Sequence, residues 1–98
     1  MKPFRYIAVE WRHEHPNEPI LLLAEVDAAG WEQRKVEVFR NGARGYANSN
    51  AHSLNTRLGE APVPTVAEIA ENPEFVPRII SREEFERAWE EARSENAF

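Results

Sequence analysis

The sequence predicts an α+β fold, a four-stranded antiparallel meander with a short helix and a C-terminal amphipathic helix packed on one face. Three observations carry that expectation. Residues 4–48 alternate apolar and polar side chains with the period of strands. Short connections containing Gly, Pro and Asn separate those runs. The last third carries an apolar stripe at helical spacing. The chain has 98 residues, the size of one ordinary domain spanning 1–98. Surface scaling buries roughly 65% of the surface of such a chain, enough for independent folding around a modest core.

The first strand is read over 4–12, with Ile7, Val9 and Trp11 on one side and Tyr6, Glu10 and Arg12 on the other. Pro16 and Pro19 bracket the polar loop that follows. Residues 20–27 are apolar on both sides, since Ile20, Leu22, Ala24 and Val26 alternate with Leu21 and Leu23. That pattern marks a central strand covered on both faces. Gly30 ends a bulged hairpin loop. The next strand, 31–40, sets Val36 and Val38 against Lys35, Glu37 and Phe39. Asn41-Gly42 predicts a type I′ turn into a fourth strand over 43–48, anchored by Tyr46.

Residues 49–64 break the pattern. Only Leu54, Leu58 and Val63 pin down this long polar segment. Thr65 with Glu68 has the spacing of a capping box and opens a helix that Asn72-Pro73 ends near residue 71. Phe75, Val76, Ile79 and Ile80 around Pro77 read as a short fifth edge strand. Ser81 with Glu84 is a second capping box, opening a helix over 82–93. Its stripe is Phe85, Ala88, Trp89 and Ala92, and residues 94–98 are expected to fray.

Composition excludes several chemistries. Without cysteine there is no disulfide, no thiolate catalysis and no cysteine-based metal site. The N-terminus lacks the apolar core of a signal peptide and no run reaches membrane-span length, so the expected compartment is the cytoplasm and no membrane is expected as partner. The net charge of −5 is uneven. Residues 1–48 hold seven Lys/Arg and seven Asp/Glu, whereas 49–98 hold five and ten. The basic residues are scattered and no phosphate-binding glycine loop occurs, so nucleic acid is not an expected partner. No cofactor is indicated.

Several groups of side chains are candidates for chemistry. His13 and His15 would share a strand face and could hold a metal, but Pro16 follows at once and no third ligand is specified. Glu10, Glu25 and Glu37 lie in strands, where glutamate is depleted, with Arg34 in the same region. On the simplest register Glu10, Arg12, Glu25, Lys35 and Glu37 share the face opposite Val9, Val26 and Val36. They would act either as cross-strand ion pairs or as a polar platform. Ser49 or Ser53 beside His52 has no orienting third group and makes no triad.

The ordered features resemble a family of small bacterial single-domain proteins catalogued only as a domain of unknown function. The residues that carry the resemblance begin with Tyr6-Ile7, Val9, Trp11, Glu18-Pro19, Glu25-x-Asp27 and Glu32-x-Arg34-Lys35-Val36-Glu37-x-Phe39 with Gly42. They continue with Leu58, Pro62-x-Pro64, Ile69, Glu74-Phe75 and Ile80-Ser81-x-x-Glu84-Phe85-x-x-x-Trp89, so that about residues 4–92 are covered. The resemblance implies a bacterial cytoplasmic protein, similar to small immunity partners of toxins, and brings no catalytic residue.

Three functions compete. The leading one is a non-enzymatic protein-binding module, an immunity-type partner of a basic toxin, with Glu60, Glu68, Glu71, Glu74, Glu83, Glu86 and Glu90 as its surface. The alternative is a small enzyme or small-molecule binder with its polar site, Glu10, Glu25, Arg34 and Glu37, on an open sheet face. The third is a homo-oligomer joined through an exposed strand edge, although the sequence leaves the oligomeric state undecided.

Overall fold

A computed structural model describes residues 4–53 and 56–96. The chain forms β1 (Arg5–Trp11), β2 (Pro19–Val26), β3 (Glu32–Phe39), β4 (Arg44–Ala47), α1 (Val66–Ile69), β5 (Phe75–Ile79) and α2 (Arg82–Glu95). All neighbouring strands pair antiparallel in the order β4-β3-β2-β1-β5. The doubly apolar β2 takes the centre, and β5 is the fifth strand, on the edge beside β1. Leu54, expected to pin the long loop, lies outside the described residues, as do 97 and 98.

Both hairpins use the same turn. Asp27 N–H donates to Trp31 O (3.0 Å) and Gly30 N–H to Asp27 O (3.0 Å), with Gly30 at φ 95°. Phe39 N–H donates to Ala43 O (2.8 Å) and Gly42 N–H to Phe39 O (2.9 Å), with Gly42 at φ 90°. Each is a three-residue loop closed by a glycine bulge. The two-residue type I′ turn expected at Asn41-Gly42 is therefore corrected to the longer form. Asn41 serves it by accepting the Ala43 N–H.

Register decides which side chains meet. Tyr6 pairs with Glu25 and Glu25 with Arg34, while Ala24 pairs with Lys35 and Leu22 with Glu37. Between Val26↔Glu32 and Glu25↔Arg34 one residue of β3, Gln33, has no opposite partner. Counting straight back from the Asp27–Trp31 closure would set Leu23 opposite Lys35. The bulge instead sets Leu23 opposite Val36. It thereby exchanges the two faces of β3 relative to β2.

The expected five-charge platform is corrected accordingly. Val36 joins Tyr6, Ala8 and Leu23 on one face, with Glu10, Glu25 and Arg34, whereas Lys35 and Glu37 lie on the other with Val9 and Val26.

α2 covers the first face. Its Phe85, Trp89 and Ala92 are buried against Tyr6, Leu23, Val36 and Ile80, and Tyr46 meets Trp89 edge-on at 5.4 Å. The second face buries Ile7, Val9, Ala24 and Val26 under Val63, Val66, Ile69 and Phe75. α2 thus packs on one face as expected, and α1 with the loop before it covers the other. α1 keeps its full capping box. At α2 only half of the expected box forms: Ser81 accepts Glu84 N–H, but the Glu84 side chain turns to Arg78. Residues 94–96, expected to fray, carry the helix on to its cap Asn96, whose amide donates to Arg44 O and Ala92 O.

Candidate functional site

Glu25 is the one buried carboxylate among the described residues. The β2–β3 register sets Arg34 beside it, and the guanidinium grips it twice, Nε to Oε1 and Nη2 to Oε2, both at 2.8 Å. Tyr6 Oη donates to the same carboxylate at 2.9 Å. From α2, Glu86 takes the remaining guanidinium edge at 3.1 and 2.7 Å. Arg34 also lies over the rings of Phe85 and Trp89, at 4.9 and 5.1 Å.

Arg34 holds the Glu25 carboxyl below the usual carboxylate range, against the opposing effect of burial and with help from Tyr6. The same cation lowers Glu86. Burial and the bond to Glu25 push the Tyr6 hydroxyl up. Every strong donor here is matched by an acceptor beneath a helix. This arrangement clamps α2 to the sheet and leaves no free acid or base aimed at a hollow.

Of the expected polar site only Glu25 and Arg34 come together. Glu10 shares the Glu25 face but sits at the far end of β1 and pairs with Arg12 at 3.2 Å. Glu37 is on the opposite face, where its carboxylate accepts from the hydroxyl of the fully buried Thr56 at 2.9 Å.

The hollow lies on that opposite face. α1 and the loop before it leave a cleft of about 380 Å³ above the sheet, lined by Ile7, Val9, Leu22, Ala24, Val63, Ile69 and Phe75, with Glu32, Glu68 and Asn72 as its polar groups. Its roof is tied down by Val63 N–H to Gly30 O (2.6 Å) and by Arg5 Nη2 to Val63 O (3.3 Å). Glu32 accepts from Gly59 N–H at 2.6 Å and pairs with Lys35 at 3.2 Å. Backbone and side-chain bonds from Thr65 lower the Glu68 carboxyl. Leu22 is shared with a second hollow of about 340 Å³ that includes Trp11, Glu18, Glu37 and Phe39. The groove therefore runs from α1 to the β1–β2 loop.

A family model described as Domain of unknown function (DUF6881) matches residues 5–94. The chain belongs to the DUF6881 family. The expected resemblance over about 4–92 is met by that match, and the family's description assigns no activity. Comparison with curated proteins and with solved structures found no match.

Elsewhere in this DUF6881 domain, the expected histidine pair is engaged internally. His13 Nδ1 accepts His15 N–H (2.9 Å), which leaves the ring proton on Nε2 to donate to Pro19 O at 2.8 Å. Both His13 nitrogens are thereby used, and its ring packs on Trp11 at 4.2 Å. Among the described residues no three ligand-type side chains are grouped for a metal. Among the same residues, no helix is long and apolar enough to cross a membrane.

Ser53 closes the free edge of β4, accepting Tyr46 N–H with Oγ (3.1 Å) and donating its own N–H to Tyr46 O (2.9 Å). The other edge is blunted as well. The bonds Ile80 N–H to Tyr6 O and Arg12 N–H to Glu74 O fix the alternation of β5. The backbone groups of Phe75, Pro77 and Ile79 then point away from β1. Pro77 has no N–H, and Phe75 N–H is bonded to Asn72 O.

The seven surface glutamates are split by the sheet. Glu60, Glu68, Glu71 and Glu74 belong to the segment 58–77, in which Glu68 lines the cleft and Glu74 accepts from Trp11 Nε1 at 3.2 Å. Glu83, Glu86 and Glu90 lie on α2, across the sheet, beside Arg82, Arg87 and Arg93. Sequence reasoning missed the cleft itself. Its one linear signal is that residues 58–77 hold four glutamates and no lysine or arginine.

Proposed function

We propose that this chain is a non-enzymatic, cytoplasmic protein-binding module for a basic partner, the role an immunity-type protein fills in neutralising a basic toxin. The observation that supports it is the segment 58–77, which holds Glu60, Glu68, Glu71 and Glu74 with no cation of its own and sets Glu68 at the mouth of an apolar cleft. Apolar surface supplies affinity, and an unbalanced acidic rim steers a basic partner and sets orientation. The enzymatic alternative draws less support, because its central carboxylate, Glu25, is clamped by Arg34 under α2.

The test begins with capture of the tagged chain from its host and elution at rising salt, followed by rebuilding the complex from purified components. Calorimetry is expected to give a stoichiometric complex whose affinity falls as salt rises. Co-expression of the chain is expected to relieve any growth defect the partner causes. A reconstituted pair with no salt dependence, or no stoichiometric complex at all, overturns the reading. A second reading, a small-molecule binder, is favoured by the cleft volume alone, about 380 Å³, which falls within the range of ligand pockets.

A further inference from the structure

The groove on the cleft face has two chemically different ends. At the α1 end it is apolar, floored by Val9 and Ala24. At the other end Trp11 stands in a hollow with Glu18 and Glu37. Among the described residues neither glutamate is ion-paired, and the Thr56 hydroxyl occupies one oxygen of Glu37 without neutralising it. Lys35, the nearest cation along β3 on that face, is committed to Glu32. The hollow thus joins an indole to two unneutralised carboxylates, a combination complementary to a guanidinium.

Val9 and Trp11 lie two positions apart on one strand face, so the two ends are separated by about 7 Å, the repeat of same-face side chains in an extended chain.

We infer that the groove is a docking surface for an extended basic segment of a partner protein, with an apolar side chain in the cleft and an arginine beside Trp11, between Glu18 and Glu37. The inference rests on the protein-binding reading above and names the segment it recognises. The arginine supplies the charge that the acidic rim lacks, and the apolar residue two positions away supplies the buried area. A β-strand added to either sheet edge is a worse occupant, since Pro77 and Ser53 blunt both edges.

The test uses the full chain and a defined probe, the acetylated and amidated tripeptide leucine-serine-arginine. Its control carries citrulline, which keeps the shape of arginine without the charge. Binding at millimolar concentrations is followed by amide and indole resonances. The arginine peptide is expected to give saturable shifts at Val9, Ala24 and the Trp11 indole, with the citrulline peptide about tenfold weaker. The double variant Glu18→Gln, Glu37→Gln is expected to bring the arginine peptide to the citrulline level and leave the citrulline peptide unchanged. The amide that replaces the Glu37 carboxylate still offers Thr56 an acceptor, and the unperturbed remainder of the spectrum reports folding.

Equal affinity for the two peptides, shifts confined to α2, or no saturable shift overturns the groove. A peptide response in a chain that forms no complex with any protein overturns the protein-binding reading instead. A stoichiometric partner whose affinity the double variant does not alter overturns only the arginine subsite.

Discussion

On one face of the sheet a 14-residue helix covers Tyr6, Leu23 and Val36 and closes over an ion pair it helps to complete. On the other a 4-residue helix and a loop cover Ile7, Val9 and Val26 and leave a hollow between them. The first face is sealed by Phe85, Trp89 and the bidentate arginine, so its surface is spent on stability. The second buries Ile7, Val9, Ala24 and Val26 beneath a roof attached at a few points. A small domain has few places to leave surface uncommitted. Here the shorter cover leaves one.

The largest difference should appear on truncation. Phe85 is fully buried at the centre of the α2 face, and Phe85→Ala is expected to cost about 3–5 kcal/mol in urea unfolding. Ile69, partly buried at the rim of the cleft, is expected to cost only about 1 kcal/mol as Ile69→Ala. Equal losses would erase the contrast between a closed face and an open one.

Next comes the clamp. Glu25→Ala leaves Arg34 with Glu86 alone and the Tyr6 hydroxyl without its acceptor, and is expected to cost about 2–4 kcal/mol, whereas Glu25→Leu with Arg34→Met should recover most of it. The folded-state carboxyls of Glu25 and Glu86 are depressed by Arg34. Their contribution is therefore present above the unfolded carboxylate range and lost as pH falls through the folded values. Urea midpoints should hold steady above about pH 5 and drop below about pH 4. The Glu25→Leu, Arg34→Met variant should show a shallower acid decline. An unchanged decline would move the acid sensitivity away from the clamp.

The smallest effect expected is at Thr56, whose hydroxyl bonds Glu37 under the long loop. Thr56→Val should cost about 1 kcal/mol and leave the α2 face untouched in amide exchange. Loosening of α2 in that variant would mean that the two faces are coupled through β3.

Much of this architecture is local and therefore readable along the chain. The alternation in β1, the double apolarity of β2, the glycines that close both hairpins and the serine and threonine caps each act within a few residues. The stripe Phe85, Trp89 and Ala92 likewise marks its buried face without reference to anything else. The site was far less readable. Grouping Glu25 with Lys35 and Glu37 follows from counting back along an unbroken hairpin, and the unpaired Gln33 makes that count wrong by one. Nothing in the residue type of Gln33 announces a bulge. Its amide donates to Asp27 across the turn, a contact known only once the hairpin has closed.

By itself, then, the sequence determined the strands, the turns, the helix starts and which side of each element is apolar, because propensity, periodicity and capping depend on near neighbours. Tertiary structure alone decided which of those sides share a face, that Glu25 is clamped rather than open, that Ser53 closes an edge, and that a cleft remains beneath an acidic segment. Those outcomes depend on register and on the fit between segments far apart in the chain. A one-residue shift in pairing turns every side chain of a strand over, and no local preference records it.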